Sequence, residues 1–222
     1  MKKMNNKEYT RRFNNFIVDR MVWSPIPKEK HLDRLNSEEK PTFFTANSLD
    51  APVIVPPSNS SLETIAELEC VESAVNYTQA AKSIENAYDD DFIWAYIELL
   101  NENGLKMDRR ILEDLAQEVG HLIIKLKYRY NRPRPYQLAD VHGFSFMKMD
   151  SETAKTPSFP SGHTCQAHVL ANWLGNKYPE LKESFLDIAN MVEMSRIIGG
   201  HHFPSDNTYG RLVANWISST FK

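Results

Sequence analysis

The chain has 222 residues, a net charge of −3, and 41% hydrophobic, 25% charged and 11% aromatic residues. That length and balance specify one large packed domain, or one domain with an appended arm, and exclude a disordered chain. The net charge argues against a binder of nucleic acid polymers or anionic membranes, and two cysteines far apart in sequence, Cys70 and Cys165, make no disulfide framework.

The N-terminal stretch MKKMNNKEYTRRFNNFIVDR carries charged and polar residues where an export signal has its apolar run. A cytoplasmic protein is expected, or a periplasmic one had a leader been removed. Residues 1–60 scatter Phe13, Phe16, Trp23, Phe43 and Phe44 among prolines and charges. They read as an arm with one short helix, packed along the domain through its aromatics. Covering of the pocket by this arm, in its own or a neighbouring subunit, is a hypothesis the sequence leaves open.

From residue 61 to 222 the pattern is helical. Ser60 and Glu63 form a capping-box signature ahead of Leu62, Ile65, Leu68, Val71 and Val75. A second helix is expected over Asp90–Glu102, stopped by Asn103-Gly104, and a third over Asp108–Asn131, ended by Pro133 and Pro135. A fourth starts near Ser161 and stops at Tyr178-Pro179, a fifth covers Glu180–Ile197 before Gly199-Gly200, and the last opens at Ser205 or Asp206. No stretch alternates as a strand does, and the longest apolar runs, such as Ile93–Leu100 with Glu98 inside it, fall short of the roughly 18–20 residues of a membrane span. The expected fold is all-α, a bundle of about six or more helices with the active site where helix ends converge.

The unusual residues gather at those ends. KLKYRYNRPR, residues 125–134, holds five cations and no acid, a focused positive site in an acidic chain. The stretch PSFPSGHTCQAH, residues 157–168, makes a stiff approach to a helix whose first turn holds Ser161, Gly162 and His163. A helix N-terminus presents unpaired N–H groups and partial positive charge, so this is an oxyanion cradle with a proton donor beside it. SRIIGGHHFPSD, residues 195–206, adds Arg196, a His pair and Asp206. Taken singly each block has a bland reading, as a solvated helix end, a capping histidine, or a polar turn with an N-cap.

The three blocks together resemble the phosphatidic acid phosphatase type 2 (PAP2) superfamily, which includes the bacterial non-specific acid phosphatases and the vanadium-dependent haloperoxidases. Its signature is Lys, six residues, Arg-Pro; then Pro-Ser-Gly-His; then Ser-Arg, five residues, His, three residues, Asp. Ser195-Arg196, His202 and Asp206 meet the last spacing. Both Lys125 with Arg132-Pro133 and Lys127 with Arg134-Pro135 meet the first. Lys127 and Arg134 are preferred, because KYRYNRPRPY also has the Lys-x4-Arg-x-Arg-Pro-aromatic form of the acid phosphatases.

The resemblance implies that Lys127, Arg134 and Arg196 clamp phosphate oxygens, with Ser161 and the Gly162 N–H completing the cradle. It implies His202 as the nucleophile forming a phosphohistidine, Asp206 as the group holding its other nitrogen, and His163 as acid and then base. No metal and no cofactor is implied, and vanadate would enter as an inhibitor. The expected substrate is a small soluble phosphomonoester, a nucleotide or sugar phosphate; a homodimer is expected by resemblance only. A vanadium-dependent haloperoxidase using vanadate as cofactor, and a non-catalytic phosphate-binding module, remain as alternatives, while a metal hydrolase built on His163, His201, His202 and Asp206 fits the basic surroundings poorly.

Overall fold

The protein is described by a computed structural model over residues 6–38, 40–76, 83, 87–89 and 91–222. Among these residues there are nine α-helices: α1 (Asn6–Val18), α2 (Glu29–Asn36), α3 (Leu62–Asn76), α4 (Ile93–Glu102), α5 (Arg109–Tyr130), α6 (Pro135–His142), α7 (Gly162–Lys177), α8 (Lys182–Ile198) and α9 (Pro204–Ser218). Their only β-pairing is a single bridge between Phe44 and Phe221. The start expected at Asp90 lies outside the described residues, and α4 begins after Phe92.

Local chemistry sets the boundaries. The Asp108 side chain accepts the Arg110 N–H at 2.9 Å and opens α5. Asn131 closes it in the left-handed region (φ 49°), its N–H bonding the Lys127 carbonyl at 2.8 Å. The Asn131 side chain also donates to the Ser24 carbonyl at 2.7 Å, which ties the arm to the end of α5.

Pro133 and Pro135, expected only to stop α5, do not share that one role. Pro135 stands at the first position of α6, where a missing N–H costs nothing and the fixed φ suits a helix. Arg134 is thereby held at the junction between α5 and α6. The arm also carries two helices among its described residues instead of one. Phe44, Ala46 and Ala51 sit in the main core, and Phe43 meets Trp173 edge-on at 6.2 Å. Phe13 and Phe16 are exposed, so not every arm aromatic packs.

Helix α7 is the central element, packed against α5, α8 and α9. Its buried residues include Cys165, Ala167, Val169, Leu170, Ala171 and Leu174, which fall on more than one face, as expected for a helix surrounded by others. α9 approaches its N-terminus closely: a Cβ on Gly210 would stand 2.9 Å from the Ser161 carbonyl oxygen. The turn ahead of α7 is tied down on several sides. Phe159 stacks on Tyr209 at 4.6 Å, Ser158 N–H donates to the Arg132 carbonyl at 3.0 Å, and Ser161 N–H donates to the Asp206 carbonyl at 3.0 Å. The stiffness of PSFPSGH serves to fix the α7 N-terminus against α5 and α9.

Candidate active site

A cavity of about 480 Å³ opens where α5, α7 and α8 end, and Lys127, Arg134, Gly162, His163, Arg196 and His202 line its inner part. The two registers left open by the sequence separate here. Lys127 and Arg134 face the cavity, whereas Lys125 Nζ donates to the Ser37 carbonyl at 2.6 Å and Arg132 is absorbed into a buried ion network. Arg132 pairs with Asp206 Oδ1 at 2.7 Å and Glu67 Oε2 at 3.0 Å, lying 4.0 Å over the Phe203 ring. Arg129, a further cation of the run, donates to the Ser48 carbonyl at 2.7 Å.

His202 Nδ1 lies 3.2 Å from Asp206 Oδ2, the same oxygen that accepts the Phe203 N–H at 2.9 Å. Asp206, at the third position of α9, therefore does two things at once: it caps the helix and fixes the imidazole. A proton on Nδ1 leaves the Nε2 lone pair facing the cavity, 3.4 Å from Arg134 Nη1. Burial holds the His202 pKa well below its ordinary value, aided by Arg134, Lys127 and Arg196, so the ring stays neutral with that lone pair available.

Lys127 Nζ donates to the carbonyls of Pro157 (2.7 Å) and Ser158 (3.2 Å), which aims the ammonium at the cradle. Burial, and then Arg134, hold its pKa well below the usual lysine value; burial brings Arg134 down to about 10. Crowded cations without an anion oppose one another, and a phosphoryl dianion relieves that opposition. The N–H groups of Gly162, His163 and Thr164 precede the first bond of α7, Cys165 N to Ser161 O, and have no acceptor within the helix. Ser161 itself does not line the cavity: its hydroxyl is buried 2.8 Å from Thr164 Oγ1, which donates to Asn207 Oδ1 at 2.9 Å.

At Gly162 an added Cβ would meet only Ile123 Cγ2 at 3.5 Å and Lys127 Cε at 3.6 Å, ordinary contacts. Packing therefore does not demand glycine there. Gly162→Ala is expected to leave the melting temperature within about 4 °C of the native value while weakening inorganic phosphate binding by roughly tenfold, because the methyl enters the cradle. Calorimetric titration beside a thermal melt checks both parts.

His163 donates from Nε2 to the Asp89 carbonyl at 2.9 Å and meets Phe92 edge-on at 5.7 Å. Burial, and then Arg196, bring its pKa down to about 3. Sequence reasoning missed Asp89. Its Oδ1 accepts from Arg196 Nη2 (2.8 Å), Ser151 Oγ (2.9 Å) and Thr153 Oγ1 (3.0 Å), joining the segment before α4, the loop before α7 and the end of α8. Although burial opposes it, the Arg196 charge leads the interactions that lower the Asp89 pKa, so the group is a carboxylate. Asp89 belongs to a run of three acids in a stretch without motif, so no signal set it apart. His201 also lines the cavity, and burial brings its pKa to about 3. Its carbonyl accepts Arg134 Nη1 at 2.9 Å.

Residues 115–220 match the family model described as PAP2 superfamily. The chain carries a PAP2-superfamily domain. The match spans α7 to α9 entirely and most of α5, and therefore every inner cavity residue named above. A non-specific acid phosphatase of Providencia stuartii is 27% identical over 150 residues, covering 67% of this chain and 58% of that protein. A lipid A 1-phosphatase of Rhizobium etli is 31% identical over 99 residues, 45% of this chain and 42% of that one. The chain thus spans about half the length of these curated relatives. The crystal structure of a bacterial vanadium-dependent iodoperoxidase superposes with a TM-score of 0.63 at 16% identity, over 92% of this chain and 61% of that one, which establishes the shared helical fold. No helix among the described residues is long and apolar enough to cross a membrane.

Proposed function

We propose that the protein is a metal-independent phosphatase that hydrolyses soluble phosphomonoesters, nucleotide or sugar phosphates, through a phosphohistidine on His202. The observation that carries this reading is the His202 ring, neutral, buried, and held by Asp206 with Nε2 turned to a cavity walled by Lys127, Arg134 and Arg196.

In the first step the Nε2 lone pair of His202 attacks phosphorus, the ester P–O bond breaks, and the leaving oxygen takes a proton from the His163 imidazolium. Water then gives a proton to His163 and its oxygen attacks phosphorus. The P–N bond breaks, inorganic phosphate forms, and the Nε2 lone pair returns. Nδ1 is the His163 atom that carries this proton, because Nε2 is engaged with the Asp89 carbonyl. Lys127, Arg134 and Arg196 neutralise the equatorial oxygens throughout, guanidinium forks suiting that geometry. Asp89 offsets one of these three positive charges, which leaves the clamp matched to a dianion.

The pH dependence follows from the signs. His163, held near 3 by burial and Arg196, must bind a proton in the substrate complex, and the dianion raises its pKa by direct attraction. The kcat value is therefore highest at mildly acid to neutral pH and falls as pH rises through the His163 pKa of the complex. His163→Gln is expected to lower kcat by roughly 10²–10⁴-fold and to abolish that basic limb. The test is p-nitrophenyl phosphate hydrolysis between pH 4 and 9, with a chelator present and with or without orthovanadate. Chelator-resistant turnover that vanadate inhibits supports the proposal. A flat profile to pH 9 would remove the His163 role, and iodide oxidation with vanadate and peroxide in the absence of ester turnover would replace the phosphatase by a peroxidase.

A further inference from the structure

The cavity is larger than one phosphoryl group needs, and falls in the range of about 300–1,000 Å³ that holds whole small molecules. Its wall is the face of α5 on which Glu113, Ala116, Gly120, Ile123 and Lys127 recur at helical spacing, about 21 Å of helix at 1.5 Å per residue. On its outer side the lining comes from the arm: Lys30, His31 and Arg34 of α2.

α2 is anchored to α5. Buried His31 places Nδ1 2.8 Å from Tyr128 Oη, and Lys125 Nζ reaches the Ser37 carbonyl just past the helix at 2.6 Å. Lys30 and Arg34 flank His31 one turn apart on the cavity side, and their charges help lower its pKa, which burial lowers most. Two like charges at this spacing are locally unfavourable in a helix unless an anion joins them.

The charges in the cavity can be followed one by one. Inside, Lys127, Arg134 and Arg196 stand against Asp89, a balance completed by one phosphoryl dianion. The two carboxylates of the lining are each engaged elsewhere: Glu113 with Arg109 at 2.7 Å, and Glu152 with Lys155 at 2.5 Å. Glu152 senses Lys30 only as the last of the influences on its pKa. Lys30 and Arg34 form no salt bridge with a described residue. They are the surplus positive charge of the cavity, whose lining also holds the apolar side chains of Phe92, Ile93, Ala116, Ile123 and Ile124.

From this we infer that Lys30 and Arg34 form a second anion subsite at the cavity mouth, and that the preferred substrates are phosphomonoesters bearing a second phosphate. The inference rests on the phosphatase reading for its catalytic form, but not for its binding form. The second phosphate can belong to a soluble sugar bisphosphate or to a lipid headgroup, and the two sources separate experimentally.

The experiment compares kcat/KM for fructose 1,6-bisphosphate and fructose 6-phosphate, with phosphatidylinositol 4-phosphate in detergent micelles as the lipid-borne counterpart. The native protein is expected to favour a two-phosphate compound by roughly 10²-fold, the scale of one charge-assisted contact pair. In Lys30→Ala/Arg34→Ala that ratio falls toward 1, whereas Lys30→Arg/Arg34→Lys keeps it within about threefold. Both positions are exposed, so the variants are expected to fold, and a melt near the native value verifies it. Preference for the fructose compound identifies a soluble substrate, and preference for the micellar one a headgroup. If no ester is turned over, the phosphatase reading fails, and calorimetric dissociation constants for the same compounds decide the subsite alone. A ratio that is the same in the native protein and the alanine variant, in turnover and in binding, overturns the inference.

Discussion

His202→Ala is expected to lower kcat on p-nitrophenyl phosphate by roughly 10⁴-fold or more while inorganic phosphate binds within about tenfold of native affinity. The two halves of this expectation come from different atoms. In the proposed mechanism turnover needs the Nε2 lone pair, which is turned to the cavity because the other ring nitrogen, Nδ1, is held by Asp206 Oδ2 at 3.2 Å. On the proposed reading, affinity comes from Lys127, Arg134, Arg196 and the first amides of α7, none of which the substitution removes. The fold should tolerate the change, because Asp206 keeps Arg132 at 2.7 Å and the Phe203 N–H at 2.9 Å. Equal loss of binding and turnover would instead make His202 part of the cradle.

Arg132→Ala and Arg134→Ala, two residues apart, are expected to fail in opposite ways. Arg132 is 3% exposed and neutralises both Glu67 and Asp206, so its removal leaves two buried carboxylates without their cation. Breaking such a pair costs about 3–5 kcal/mol, which for a chain of this size lowers the melting temperature by roughly 6–20 °C. Arg134 donates to the carbonyls of Thr156 (2.8 Å) and His201 (2.9 Å) and presents its guanidinium to the cavity. Arg134→Ala should lose phosphate affinity by about tenfold to a hundredfold, with a smaller shift in melting temperature. Thermal melts and phosphate titrations on the two variants separate them. The reverse assignment, with Arg132→Ala losing affinity and keeping stability, would reinstate the Lys125/Arg132 register.

That register shows where the sequence ran out. Lys125 and Lys127 both flank the apolar stripe of the same helix, and both satisfy the motif spacing, so only the packing of α2 and the PSFPSGH turn tells them apart. The helix ends were legible because their chemistry is local: Asp108 as a cap, Asn131 in the left-handed region, Gly104 at φ 71°. Pro135 misled because proline stops one helix and starts another equally well. Asp89 and the α2 rim were invisible for a shared reason. Both act across long sequence separations, Asp89 on Arg196 and His31 on Tyr128, from segments with no spacing pattern of their own. The arm read as an appendage because its apolar residues follow no period, yet Phe44 is 1% exposed in the main core.

The central claim is a covalent phosphohistidine on His202, and trapping it tests that claim most directly. Native protein mixed with p-nitrophenyl phosphate near its optimum is quenched in alkali, which preserves a P–N bond, and digested with trypsin. The account expects the mass of one phosphoryl group on the peptide between Arg196 and Arg211, with fragmentation placing it on His202 and not on His201. Steady turnover with no such adduct at any quench time, or an adduct that persists in His202→Ala, would contradict it.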